Sequence, residues 1–135
     1  MTDLEKARGI VELWKGRRRI DMLPQELRPA DLDEAYRIRR AFQEIEEQEG
    51  RGAIAGYKIG LTTPVMQQLC GIDEPCYGAI FAREVHHCRA ELAARDYCRI
   101  GVETEIALRL GDDLPRGGDR QRGAAGLRVH RQPSN

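Results

Sequence analysis

The stretch between residues 53 and 81, AIAGYKIGLTTPVMQQLCGIDEPCYGAIF, combines strand and helix signals within a short distance. Its opening, AIAGYKI, is apolar and flanked by glycines, which predicts a strand that runs into a turn. Thr63 and Pro64 then suit the N-cap and first position of a short helix, VMQQLC, which Gly71 closes. Ala79 to Phe81 predict a second short strand, so the stretch reads as strand, helix and strand.

Two helices are predicted before this stretch. Thr2 and Glu5 form a capping-box pattern at the start of the first helix, which Pro24 stops. Asp31 and Glu34 repeat that pattern at the start of the second, which ends at Gly50 and Gly52. Each helix carries an apolar stripe at helical spacing. The stripes are Leu4, Ala7, Val11 and Trp14 in the first helix, and Ala35, Ile38, Phe42 and Ile45 in the second. The acidic run between residues 44 and 49 is interpreted as a solvated face.

Residues 100–110, IGVETEIALRL, show the strongest period-two pattern in the chain and predict a third strand. The fold class is therefore α+β. We expect an N-terminal helical region over residues 1–52, a partial β-rich core over 53–114 and a tail over 115–135. That tail holds five arginines against one aspartate and few apolar residues, so we expect it to be solvated and disordered.

Glu103 and Glu105 lie two positions apart in the predicted third strand. Residues at that spacing in a strand point to the same side, about 6.5 to 7 Å apart, so the two carboxylates could converge on one ion. Carboxylate oxygens suit magnesium, manganese or calcium rather than a thiolate-bound metal. The alternative is that one face of the strand is wet and both glutamates are merely exposed.

Lys58 is one of only three lysines in a chain that contains nineteen arginines. Arginine does not release its proton at neutral pH, whereas a partly desolvated lysine can. Lys58 could therefore orient a carboxylate or an enolate, or transfer a proton. The alternative is a lysine at a strand end that reaches solvent.

Composition excludes several classes of function. The formal net charge is zero, which disfavours nucleic-acid binding. No apolar run approaches the roughly 20 residues that cross a membrane, and the charged start MTDLEKARG does not resemble a signal peptide. The four cysteines lack the spacing of zinc sites. We expect a cytoplasmic protein with no membrane partner.

Several spaced blocks together resemble one known family. They are G-x-K-x-G-x-T at Gly56, a helix with M-Q, G-x-D-x-P-x-[YF]-G from Gly71, the E-x-E segment at Glu103 and a D-L-P turn at residues 113–115. In this order they resemble the 2-keto-4-pentenoate hydratases, which are relatives of the fumarylacetoacetate hydrolases. The segment AYRIRRAF is also similar to the second helix of that family.

The resemblance implies a lyase of aromatic meta-cleavage catabolism with a mixed β core. Such an enzyme adds water to 2-hydroxypenta-2,4-dienoate, and the family is expected to form homo-oligomers. Glu103 and Glu105 would match two of three carboxylate ligands to Mg²⁺ or Mn²⁺, and Lys58 would match the active-site lysine. Thr62 and Thr63 would contact the substrate, although Thr63 is equally explained as a helix cap.

The chain departs from this family after the D-L-P turn. Family members continue through a helix, the third carboxylate ligand and most of the β core, and residues 116–135 match none of these. We therefore expect a truncated or frame-disrupted hydratase with weak or no activity. The alternatives are a 2-oxo-3-hexenedioate decarboxylase, which shares the motifs, and a non-catalytic fragment of either enzyme.

Overall fold

The computed structural model describes residues 1–17, 19–98 and 100–111. The described elements are helices α1 (Asp3–Lys15), α2 (Leu32–Glu46) and α3 (Pro64–Cys70), and strands β1 (Ile54–Gly60) and β2 (Cys76–Phe81). Single turns of 3-10 helix lie at Gln25–Leu27, Ala82–Glu84 and Ala94–Asp96, and a π turn lies at Glu47–Arg51. The expected α+β class is confirmed in this coarse sense. None of the helices in the described part is long and apolar enough to cross a membrane.

The predicted helix starts follow from local capping, whereas α1 ends at Lys15, before the predicted stop at Pro24. At α1 the Thr2 hydroxyl accepts from the Glu5 amide, and the Glu5 carboxylate accepts from the Thr2 amide. At α2 the Asp31 side chain accepts from the Glu34 amide at 2.7 Å. At α3 the Thr63 hydroxyl accepts from the Met66 amide. These caps satisfy amides that have no partner within the helix, which is why the sequence located all three starts.

Helices α1 and α2 pack together and form the small buried core. Ala7 and Val11 of α1 and Ile38 of α2 are buried, together with Leu27 between the two helices. Lys6 of α1 forms an ion pair with Glu34 of α2 at 2.7 Å. The predicted apolar stripe of α1 is therefore only partly buried, since its ends, Leu4 and Trp14, are exposed.

Strands β1 and β2 pair antiparallel as a two-stranded sheet. The chain reaches β1 through Gly50 and Gly52, both with positive φ, where a side chain would strain the backbone. In the register of the ladder Tyr57 lies opposite Ala79, and Lys58 lies opposite Gly78. β2 is longer than the predicted Ala79–Phe81 strand because pairing with β1 extends it back to Cys76.

The acidic run at the end of α2 is not simply a solvated face. Glu46 is only 2% exposed and forms an ion pair with Arg51 at 2.7 Å. Glu47 accepts a hydrogen bond from the Ile54 amide, and Glu49 pairs with Lys15. The solvated interpretation was wrong for Glu46, because the fold buries its carboxylate against the guanidinium of Arg51.

The third predicted strand is not formed in the described residues. Residues 101–109 have no regular secondary structure, and Val102 and Ile106 are more than 90% exposed. Alternating apolar residues form a strand only when another strand supplies hydrogen-bonding partners, and the described sheet consists of β1 and β2 alone. The described residues up to Ile100 form one compact unit, and residues 101–111 belong to a second. The predicted tail over residues 115–135 lies outside the described residues.

Candidate functional site

Lys58 lies in the middle of β1 and is exposed. Directly opposite residues in an antiparallel ladder share a face of the sheet, so Lys58 shares its face with Gly78. A methyl group added at Gly78 or at Gly56 would meet no atom within 4 Å. Lys58 therefore lies on a part of the sheet where its neighbours Gly56 and Gly78 have no side chains and leave the backbone uncovered.

The helices contact the other face of the sheet. Tyr77 and Phe81 of β2 lie an even number of positions apart, so they share the face opposite Gly78. The Tyr36 ring of α2 stacks on Tyr77 at a centroid distance of 5.2 Å. Arg51 lies over the rings of both Trp14 and Phe81, at 4.6 and 4.3 Å from their centroids. The two helices thus contact part of one face, and Lys58 belongs to the opposite face.

Thr62 and Thr63 follow β1 in the turn that leads to α3, and both are exposed. Leu61, just before them, has a φ of 54°, which is uncommon for a residue with a side chain. The Gln67 side chain donates to the Leu61 carbonyl at 2.8 Å and holds this turn against α3. The Thr63 hydroxyl serves as the helix cap, while the described contacts assign no such local role to Thr62.

Glu103 and Glu105 are exposed and lie in the irregular segment of the second unit. The strand that was expected to direct both carboxylates to one side is not formed, so the spacing argument no longer supports their convergence. Their assignment as metal ligands stays a prediction. Lys58, Thr62 and Thr63 belong together to the first unit, on consecutive elements of the chain.

The chemistry of the two glutamates fits a divalent ion only in part. Carboxylates are the donors that magnesium and manganese prefer, and Mg²⁺ often binds through one or two of them and keeps several waters. Within the described ranges, however, no group of three or more His, Cys, Asp or Glu side chains is arranged to hold a metal ion. The described part of the chain therefore contributes at most a partial ligand set.

Sequence reasoning did not identify the two arginines that attach the sheet to the helices. Arg39 of α2 donates to the Tyr77 carbonyl at 2.9 Å, and its guanidinium lies 4.0 Å from the Tyr77 ring centroid. Arg51 occupies the corresponding place at Phe81. In a chain with nineteen arginines neither position stands out, although the aromatic residues near each were a usable signal.

Curated relatives of the chain are hydratases. The 2-keto-4-pentenoate hydratase 1 of Dechloromonas aromatica is 37% identical over 97 residues, which cover 72% of this chain and 36% of the relative. The TodF product hydratase of Pseudomonas putida is 39% identical over 87 residues, or 62% of this chain and 31% of the relative. This chain belongs to the 2-keto-4-pentenoate hydratase family.

One curated relative has another substrate in its name. The 2-oxo-hept-4-ene-1,7-dioate hydratase of Escherichia coli is 29% identical over 108 residues, which cover 80% of this chain and 40% of that protein. The chain spans about a third of the length of the curated relatives first matched. No family model matches it, and no solved structure matches it.

Proposed function

We propose that this chain carries part of the active site of a 2-keto-4-pentenoate hydratase. The reaction adds one water molecule to 2-hydroxypenta-2,4-dienoate and gives 4-hydroxy-2-oxopentanoate. The observation that carries the proposal is the similarity to several hydratases of this name. The position of Lys58 on the exposed, glycine-bordered face of the sheet supports it.

Lys58 has the chemistry that the reaction needs. The dienol must become a conjugated ketone before water can add, and this step moves a proton from the enol oxygen to the end of the conjugated chain. An ammonium group beside the substrate stabilises the developing enolate charge and can exchange a proton with it. The absence of side chains at Gly56 and Gly78 leaves room for a planar substrate next to the lysine.

Glu103 and Glu105 are proposed to hold Mg²⁺ or Mn²⁺, with further positions taken by other ligands or by water. When bound, the ion would supply positive charge to the 1-carboxylate and 2-oxo oxygens of the substrate. Thr62 is proposed to donate a hydrogen bond from its hydroxyl to the substrate. Thr63 is proposed to act mainly through α3, since its oxygen already caps that helix.

The first experiment tests Lys58. The purified chain is mixed with the dienoate and Mg²⁺, and loss of the dienoate absorbance is followed together with product formation. We expect slow turnover that Lys58→Met abolishes and Lys15→Met preserves, because Lys15 lies in α1, where it pairs with Glu49. Unchanged turnover in Lys58→Met would contradict the role of this residue.

The second experiment tests the metal ligands without relying on turnover. Mn²⁺ binding is measured by electron paramagnetic resonance in Glu103→Gln and Glu105→Gln. Each substitution is expected to weaken binding by about tenfold or more, because each removes one charged donor. Glu91→Gln is the matched control, since Glu91 is an exposed carboxylate paired with Arg89. Equal Mn²⁺ affinity in all three variants would contradict the assignment.

A larger dicarboxylate is the second candidate substrate. The name of the Escherichia coli relative, a 2-oxo-hept-4-ene-1,7-dioate hydratase, favours it. Offering both compounds to the same preparation and comparing kcat/KM would distinguish them. Release of carbon dioxide would instead indicate a decarboxylase, and binding of metal without turnover of any of these compounds would indicate a non-catalytic fragment.

A further inference from the structure

Arg39 is held on three sides where α2 meets the sheet. Its guanidinium lies close to the stacked rings of Tyr36 and Tyr77, at 4.7 and 4.0 Å from their centroids. Its Nη1 donates to the Tyr77 carbonyl at 2.9 Å. Its Nε is buried without a hydrogen-bond partner among the described residues. Leaving a buried donor unsatisfied costs free energy, so the stacked position is maintained by the rings and by the bond to the strand.

The carbonyl that Arg39 binds belongs to the peptide group that joins Tyr77 to Gly78. Gly78 is the residue directly opposite Lys58 in the ladder. Opposite residues of an antiparallel pair have Cα atoms only about 4.5 to 5.5 Å apart, so the position of one constrains the other. The bond from Arg39 therefore fixes the backbone next to the lysine, although the arginine lies on the helix side of the sheet.

Arg51 provides a structural comparison at the other end of β2. It lies over Phe81 and Trp14 and pairs with Glu46. Phe81, however, lies opposite Ile54, and an irregularity in the pairing separates that end from the Lys58 register. The two arginines make similar contacts, but only Arg39 acts on the part of the ladder that carries Lys58.

We propose that Arg39 is a positioning residue that sets the orientation of the Lys58 side chain. This role rests on the proposed catalytic function of Lys58. Arg39 lies on the face of the sheet that the helices cover and Lys58 on the other, so Arg39 acts through the β2 backbone and does not touch the substrate. The sequence motifs around Lys58 do not identify Arg39, because α2 is distant from them in the chain.

The small number of lysines makes the proposal directly measurable. Reductive methylation with ¹³C labels Lys6, Lys15, Lys58 and the N-terminal amine, and each lysine is assigned by its own substitution with arginine. In Arg39→Met we expect the Lys58 methyl signal to shift or broaden, while the Lys6 and Lys15 signals stay in place. Where turnover is measured, kcat should fall by about tenfold or more with KM little changed, as expected for a misplaced reacting group.

Three further variants separate positioning from general stabilisation. Arg39→Gln keeps a donor for the Tyr77 carbonyl and is expected to give a smaller shift, and it also serves if Arg39→Met fails to fold. Arg40→Met removes an exposed neighbouring arginine and should leave all signals unchanged. Arg51→Met should lower stability and leave the Lys58 signal near its original position.

Two results would overturn the proposal. One is a wild-type Lys58 signal in folded Arg39 variants, and the other is an equal Lys58 shift in Arg51→Met under conditions where that variant is folded. Failure of the proposed function is recognised separately, since either the wild-type chain would then show no turnover or Lys58→Met would keep the wild-type turnover, whatever the methyl signals show.

Discussion

At the scale of single residues, the ion pair between Arg51 and Glu46 is the most consequential contact. Glu46 is almost fully buried, and Arg51 also pairs with Glu84 and lies over the rings of Trp14 and Phe81. Burial works against the charged form of Arg51, but its hydrogen bonds to Glu84 and Glu46 outweigh that effect and raise the pKa of the guanidinium. A carboxylate this deeply buried needs its cation, because an unpaired buried charge is strongly unfavourable.

We therefore expect Arg51→Met to be severely destabilising. Removing one partner of a buried ion pair costs about 3 to 5 kcal/mol. The loss would be measured as a decrease in the free energy of unfolding in urea. Arg40→Met is the control at an exposed arginine. The double variant Arg51→Met with Glu46→Leu should recover part of the loss, because it leaves no buried charge. Equal stabilities of Arg51→Met and the wild type would contradict this account.

The Lys6–Glu34 pair predicts a dependence of stability on pH. Hydrogen bonds from Lys6 and then from the Ala30 amide lower the pKa of Glu34 below its ordinary value of 4.5. A lowered pKa in the folded state means that the stabilising contribution is present above the ordinary pKa. It is lost as the pH falls from 4.5 through the lower folded value.

Replacing Glu34 with glutamine should remove this part of the acid dependence. The free energy of unfolding, measured in urea at a series of pH values below 6, should fall less steeply with decreasing pH in Glu34→Gln than in the wild type. The same change at the exposed Glu26 should leave the decline as it was. If both variants follow the wild-type curve, the Glu34 contact does not contribute.

At the scale of elements, α3 shows how one residue can fit two explanations. Thr63 was expected either to contact substrate or to cap the helix, and the structure shows the cap. The helix is short and none of its residues is buried, so it has little besides its caps and its attachment to the Leu61 carbonyl to maintain it. Gly71 closes it in the left-handed conformation at a φ of 68°.

Loss of the cap should therefore destabilise α3. Thr63→Ala is expected to cost about 1 kcal/mol, and Thr63→Ser should restore most of it, because serine also accepts from the helix amides. Amide hydrogen exchange in α3 is the measurement, since it reports local opening as well as global unfolding. Thr62→Ala is the control and should leave the exchange of α3 amides unchanged.

At the scale of the whole molecule, the number of exposed apolar side chains is the main feature. Val65 and Leu69 of α3 are 74% and 77% exposed, and Ile59 of β1 is 60% exposed. Edge strands and uncovered apolar surface favour association with another chain. This agrees with a chain that spans about a third of its relatives' length.

We expect the purified chain to self-associate as its concentration rises. Sedimentation velocity should show an increasing sedimentation coefficient, and Leu69→Lys should reduce that increase. Met22→Lys is the control, because Met22 is 69% exposed but lies away from α3 in the sequence. A single monomeric species at all concentrations would contradict the expectation.

Local chemistry was sufficient for the helix starts, the glycine that ends α3 and the location of β1, because caps and turns depend on residues within a few positions of one another. The same reasoning failed for residues 100–110, since a strand depends on a distant partner as well as on its own alternation. The motifs also indicated the family, because spaced blocks in order carry more information than any single residue.

Contacts between distant residues decided the rest. Arg39 and the Tyr77 carbonyl are 38 positions apart, and Arg51 and Glu84 are 33 apart. No local pattern could assign those partners, bury Glu46 or determine which face of the sheet the helices would cover. Neighbouring residues in a strand point to opposite faces of the sheet. Tyr57 and Tyr77, which precede Lys58 and Gly78, share the face that the helices contact, so Lys58 lies on the other face.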